Sequence, residues 1–314
     1  MRMKTLGKSG LKVSVVGLGC NNFGMKCDQA QTDAVVHRAL DLGITLFDTA
    51  DIYGNRGGSE TMLGKALGAR RKDIVLATKF GMAMGDGEYM KGGSRRYIMN
   101  AVDASLKRLG TDYIDLYQLH FPDPATPIEE TLSALDDLVK AGKVRYIGSS
   151  NFAGWQIVEA WYSADRNGLS KFITAQNHYN LLDRKIEQEV VPAANAYGAS
   201  VLPYFPLASG MLTGKYRRGE GGPSDRRLML WGERAKSILT DANFDLIEKL
   251  EAFATSRSHT LLDLAFGWLA SQPHVGSVIA GATKPEQVDA NVKAGGWELS
   301  AEELGEAGAL SFRL

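Results

Sequence analysis

A (β/α)₈ barrel, the α/β TIM-barrel class, is the fold this sequence predicts, with an N-terminal β-hairpin and extra C-terminal helices. Three observations lead there. Short apolar runs alternate with amphipathic stretches along nearly the whole chain. Their interval is roughly 30 residues, the length of one βαβ unit. No G-x-G-x-x-G turn follows the first run, because GLGCNNFG spaces its glycines otherwise and has no helix straight after it. That argues against an open doubly wound sheet. A chain of 314 residues could hold two domains. No low-complexity tract or proline-rich linker divides it, so residues 1–314 are expected to form one barrel domain.

The elements follow in order. MKTL and LKVSV flank the turn GKSG and predict the hairpin. The apolar runs VSVVGLG, ITLFDTA, DIVLATKF, YIDLYQLH, VRYIGSS, FITAQNHY, SVLPYFPL and GSVIAGA are the strand candidates. Between them TDAVVHRALDLG, SETMLGKALG, RRYIMNAVDASLKRLG, IEETLSALDDLVKAG, IEQEVVPAANAYG and NFDLIEKLEAFA carry helical periodicity. Several begin at Ser, Thr or Asp and end at Gly, as helix caps do.

Composition narrows the function. The chain is 44% hydrophobic and 23% charged, with 36 basic and 36 acidic residues. A zero net charge gives no bulk attraction to nucleic acid or to an anionic membrane. The opening MRMKTLGKSG is too polar for a signal peptide, and no run approaches membrane-spanning length. Cys20 and Cys27 offer neither metal-ligand spacing nor a disulfide framework. A cytoplasmic protein without a metal site is expected.

Chemistry in such barrels sits where the strands end. The second strand finishes on Asp48, the third reaches Lys79, and the fourth stops at His120. The fifth ends in Ser149, Ser150 and Asn151, the sixth in Gln176 and Asn177, and the seventh runs through Tyr204. Alone, each has a plain reading: a capping Asp, a solvated Lys, a structural His. Barrel closure would aim them at one small volume, where perturbed groups cluster. Tyr53, five positions after Asp48, supplies a phenol. A cation beside it would lower its pKa from ~10 by roughly 1–3 units. Lys79 can be that cation and Asp48 can hold it charged. His120 could donate a hydrogen bond to a bound carbonyl oxygen. This set suits reduction of a C=O group, with Tyr53 as proton donor and hydride from a cofactor.

FDTADIYG, ATKF, QLHFPDP, VRYIGSSNF and PLASGMLTGKY, in that order, resemble the aldo-keto reductase family and span nearly the whole chain. The resemblance is to its bacterial-type NADP-dependent members, which are related to potassium-channel β subunits. It implies an NAD(P)H-dependent carbonyl reductase whose Asp, Tyr, Lys and His tetrad falls on Asp48, Tyr53, Lys79 and His120. It also implies that Ser150, Asn151 and Gln176 grip the nicotinamide carboxamide, and that Tyr204 stacks on its ring. PLASGMLTGKY resembles the loop over the pyrophosphate, with backbone near Leu207, Ser209, Gly210 and Leu212 and the charge of Lys215.

Pro285 begins a helix well, and Thr283 and Lys284 before it make an anion-favouring start. In the family this place holds the adenosine 2′-phosphate, with Gln287 and Asn291 matching adenosine contacts. Many members carry arginine where Gln287 stands, so Lys284 must supply the charge as a point cation. NADPH is expected over NADH. Asn21, Asn22, Phe23, Phe80, Phe121 and Trp231 are the pocket candidates, suiting a small aldehyde or ketone. Many relatives have tryptophan where Phe121 stands. Two other readings compete: a Schiff-base aldolase through a neutral Lys79, and a nucleotide-sensing regulatory subunit. The sequence assigns no oligomeric state.

Overall fold

The computed structural model describes residues 1–218 and 238–311. Strands β1 (Met3–Thr5) and β2 (Lys12–Ser14) form the expected antiparallel hairpin, with Lys4 opposite Val13. Its turn presses on the floor of the barrel at Gly7. There φ is +53°, and a Cβ would meet Gly198 O and Ile173 O at 2.5 Å, so only glycine fits.

Eight parallel strands make the barrel: β3 (Val16–Gly19), β4 (Leu46–Asp48), β5 (Val75–Phe80), β6 (Ile114–Leu119), β7 (Val144–Ser150), β8 (Phe172–His178), β9 (Ser200–Tyr204) and β10 (Val278–Gly281). Their spatial order is β10-β3-β4-β5-β6-β7-β8-β9. The seam between β9 and β10 is thinner, one isolated bridge of Val201 with Val275. Val201 N–H donates to His274 O at 2.8 Å and Gly276 N–H to Val201 O at 2.9 Å. The hairpin braces this seam. Lys4 Nζ donates to Gln272 O (2.8 Å) and Val275 O (2.9 Å), and Gly7 N–H to Ser200 Oγ (2.8 Å).

Leu6 and Val13 from the hairpin join Leu46, Val75, Ala77, Leu116, Leu202 and Ile279 in one buried cluster inside the barrel. The hairpin therefore plugs the end opposite the strand C-termini. Each large side chain buried this way stabilises the fold by about 1.5–3 kcal/mol. A larger apolar layer fills the space between strands and helices.

The helices are α1 (Gln29–Asp41), α2 (Tyr53–Leu67), α3 (Arg95–Leu109), α4 (Ile128–Lys140), α5 (Gly154–Arg166), α6 (Val190–Tyr197), α7 (Asp241–Thr255), α8 (Leu261–Ser271), α9 (Pro285–Ala294) and α10 (Ala301–Ser311). Asp28 and Gln31 form a capping box on α1, ahead of Thr32 where the sequence stretch begins, and Thr260 and Asp263 form one on α8. Arg184 ties α10 down through Gly308 O and Ser311 Oγ. No helix among the described residues is long and apolar enough to cross a membrane.

The start of α2 departs from the regular helix that follows it. Gly54, Asn55, Arg56 and Gly57 all have positive φ, between 58° and 114°. A left-handed residue other than glycine costs roughly 1–2 kcal/mol, so Asn55 and Arg56 store strain directly after Tyr53. Gly54 is fixed by space as well, since a Cβ would sit 2.4 Å from Ser59 N and 2.6 Å from Phe23 O.

Candidate active site

Neighbouring parallel strands bring the polar ends into register. Asp48, the last residue of β4, pairs with Gly19 and Ala77, and Lys79 on β5 lies beside Gln118 on β6. His120 follows β6 directly, and Tyr53 opens α2 one short turn after β4. Lys79 Nζ donates to Asp48 Oδ2 at 2.6 Å and to Thr49 O at 2.9 Å. Lys79 has no exposed surface and Asp48 is 4% exposed. A pair so deep pays several kcal/mol of desolvation per ion and survives only with its remaining lone pairs bonded. They are: Gln176 Nε2 donates to Asp48 Oδ1 at 2.9 Å and Gln118 Nε2 at 3.3 Å.

The phenol and imidazole close on this pair. Lys79 Nζ stands 5.1 Å from the Tyr53 ring centroid, and the Tyr53 and His120 rings meet edge to face at 5.7 Å. His120 stacks on Phe121 at 5.3 Å. Burial alone would depress the Lys79 ammonium, but the Asp48 carboxylate and the Tyr53 phenol outweigh it and raise its pKa. Burial, then the Lys79 charge, lowers His120 to about 3, so the imidazole is neutral at ordinary pH. Its Nδ1 is buried and has no hydrogen-bond partner among the described residues.

Tyr53 corrects the sequence expectation. Its pKa is raised, because burial around the phenol outweighs the downward pull of Lys79, and Asp48 adds to the rise. The group is a protonated phenol at neutral pH, with Lys79 limiting the rise.

The predicted cofactor residues divide into three places. Ser150, Asn151, Gln176 and Tyr204 lie together at the ends of β7, β8 and β9. Tyr204 Oη donates to Asn151 Oδ1 at 2.7 Å, Asn151 Nδ2 to His120 O (3.0 Å) and Ser150 Oγ (3.1 Å), and Ser150 Oγ to Gln176 O at 3.0 Å. Asn151 itself has φ +60°. These groups bond one another, and Gln176 also holds Asp48. After β9, Leu207 to Thr213 coil tightly, with Ala208, Ser209 and Gly210 left-handed. Gly210 N–H and Leu212 N–H both donate to Leu207 O, at 2.8 and 3.2 Å. Lys215 is exposed just beyond. Lys284 is the N-cap residue of α9, and Thr283 N–H and Oγ1 both donate to Gln287 Oε1, at 2.7 and 3.2 Å. Asn291 is buried on α9.

The pocket candidates fare unevenly. Phe121 is 48% exposed beside His120. Asn22 is buried, its Nδ2 donating to Ala282 O at 3.4 Å. Phe23 and Phe80 are corrections: both are wholly buried in the layer between strands and helices. Lys79 faces the barrel axis, so its neighbour Phe80 must face outward, where it stacks on Tyr117 at 4.6 Å. Trp231 lies outside the described residues.

Two residues escaped the sequence reading. Gln118 shares the inward face of β6 with His120 by strand alternation, which was the available signal. Asp51, two residues before Tyr53, is 1% exposed. Its Oδ2 accepts from Tyr97 Oη at 3.3 Å, and its Oδ1 has no partner among the described residues. Nearby, Glu60 accepts from Arg108 Nε and Thr78 Oγ1, each at 2.6 Å. Burial first, then the Glu60 charge, raises Asp51 to about 7 against the opposing pull of Arg108 and Tyr97.

Comparison with known proteins gives a consistent picture. Residues 15–311 match the sequence model of the Aldo/keto reductase family. A probable voltage-gated potassium channel subunit beta of Arabidopsis thaliana is 41% identical, over 94% of this chain and 91% of its own length. An L-glyceraldehyde 3-phosphate reductase of Escherichia coli (strain K12) is 35% identical, over 94% of this chain and 87% of its own. A versiconal hemiacetal acetate reductase of Aspergillus parasiticus is 34% identical, over 97% and 95%.

Proposed function

The chain belongs to the aldo/keto reductase family, and from that premise we propose that it reduces an aldehyde or ketone to an alcohol with NADPH, Tyr53 giving the proton. One observation carries the reading: a sealed Asp48–Lys79 ion pair lies against a protonated phenol and a neutral imidazole. A proton donor has to hold its proton until charge builds on the carbonyl oxygen. The raised Tyr53 pKa meets that need, and the fixed ammonium stabilises the phenolate left behind. His120, neutral at ordinary pH and edge to face with Tyr53, is suited to orient the carbonyl oxygen. Phe121 offers it an apolar wall.

The donor set fits a nicotinamide dinucleotide, which when bound would supply the hydride. Ser150, Asn151 and Gln176 offer donors and acceptors of the kind a carboxamide needs, and Tyr204 offers it a ring. Lys284 and the start of α9 favour a phosphate on the adenosine. Lys284→Ala is expected to weaken NADPH binding about 10-fold or more and NADH binding little, by calorimetric titration.

An aldolase would need a neutral Lys79, which the Asp48 carboxylate 2.6 Å away opposes. A regulatory role has the subunit beta relatives in its favour. Turnover separates it from catalysis: purified protein should consume NADPH with an aromatic aldehyde. Tyr53→Phe should lose about 10²–10⁴-fold of that rate with an unchanged melting temperature. Equal rates in the two proteins would remove Tyr53 as the donor.

A further inference from the structure

The ring of Tyr204 is itself held by a neighbour that the chemistry above does not use. His178 ends β8 directly beside Tyr204 on β9. The two rings lie nearly parallel, centroids 5.5 Å apart and planes 10° apart, while Phe205 meets both edge-on, at 5.4 Å from Tyr204 and 5.7 Å from His178. The imidazole is fixed at both nitrogens. Its Nδ1 faces Asp183 Oδ2 at 3.3 Å, and its Nε2 faces Asn180 Nδ2 at 3.2 Å.

The orientation of Asn180 decides which nitrogen carries the proton. Its Oδ1 accepts from Leu182 N–H (2.8 Å) and Asp183 N–H (3.0 Å), and its Nδ2 donates to Phe205 O (2.9 Å). The amide therefore cannot flip without losing three bonds. Its NH₂ group points at Nε2, which must accept, so the proton is on Nδ1 and points at Asp183. A short loop after β8 thus sets the plane of His178, and the Tyr204 ring lies parallel to it. At its far end, Tyr204 Oη is bonded to Asn151.

We propose that His178 is a positioning residue: it fixes the Tyr204 ring as the platform for the nicotinamide, an inference that rests on the dinucleotide reading above. His178 stacks on the phenol ring and holds its plane.

Calorimetric titration of the whole protein tests this with two ligands, NADPH and 2′,5′-ADP, which keeps the phosphorylated adenosine end and lacks the pyridine. His178→Ala should weaken NADPH about 3- to 10-fold, the worth of one aromatic stack, and leave 2′,5′-ADP within about 2-fold. His178→Phe, which keeps a flat ring, should hold NADPH closer to wild type than the alanine variant does. Unchanged NADPH affinity in His178→Ala, equal losses for both ligands, or equal losses in the two variants would each overturn the inference alone. A wild-type protein that binds 2′,5′-ADP and no dinucleotide, or neither ligand, would overturn the dinucleotide reading and this inference with it.

Discussion

Asp51 is the residue whose chemistry is least settled by its neighbours. A carboxyl buried beside Glu60 holds its proton up to about pH 7 in the folded chain, against an ordinary value of 3.8. Between those values the folded state keeps a proton that the unfolded chain has released, so stability falls as pH rises. Above about 7 the cost is complete, on the order of 4 kcal/mol for a shift of that size. Asp51→Asn removes the titrating group and keeps the shape. Its stability in urea should be nearly flat between pH 5 and 8, where the wild type declines, and the variant should be the more stable at pH 8. Parallel curves for the two proteins would show that Asp51 is ionised throughout. Tyr53 lies only two residues away, so the same titration series read by turnover reports on whether that carboxyl reaches the phenol.

At the scale of single elements, the first turn of α2 carries the strain that regular helices avoid. Arg56→Gly puts the residue that tolerates φ near +66° where arginine now sits. It should stabilise the protein by about 1 kcal/mol, visible as a raised urea midpoint with unchanged slope. The strands were legible because buried parallel strands read as short apolar runs. The gathering of Asp48, Lys79, Tyr53 and His120 was legible because polar groups at strand ends are aimed at one mouth when the barrel closes. The turn after Tyr53 was not, since backbone conformation is set there by space against Phe23 and Ser59 rather than by composition. Helix α8 shows another limit. From Leu264 to Ala270 it is buried without a break, so no polar face marks its period. Phe80 was misplaced because a strand end offers alternate residues to opposite sides, and one residue decides between pocket and core; Phe23 lies in the turn after β3, where no alternation marks its side. Gln118 and Asp51 are polar residues among apolar ones, which a sequence shows without showing what they touch.

For the whole molecule, the mouth and the floor divide the labour. The strand C-termini gather Asp48, Lys79, His120, Ser150, Asn151, Gln176 and Tyr204, while apolar side chains fill the interior below. The site can therefore vary without unpacking the barrel, and the floor can be tested without touching the chemistry. Gly7→Ala would push a methyl group into Gly198 O and Ile173 O. Lifting the turn should cost roughly 1–3 kcal/mol, seen as a lower melting temperature. The amides of Val201 and Gly276 should then exchange with deuterium sooner than those between β5 and β6. A cylinder rolled from a sheet is only as round as the fastener along its join. Here the fastener is a loop of chain made before any of the staves, so the first dozen residues keep the far rim from gaping.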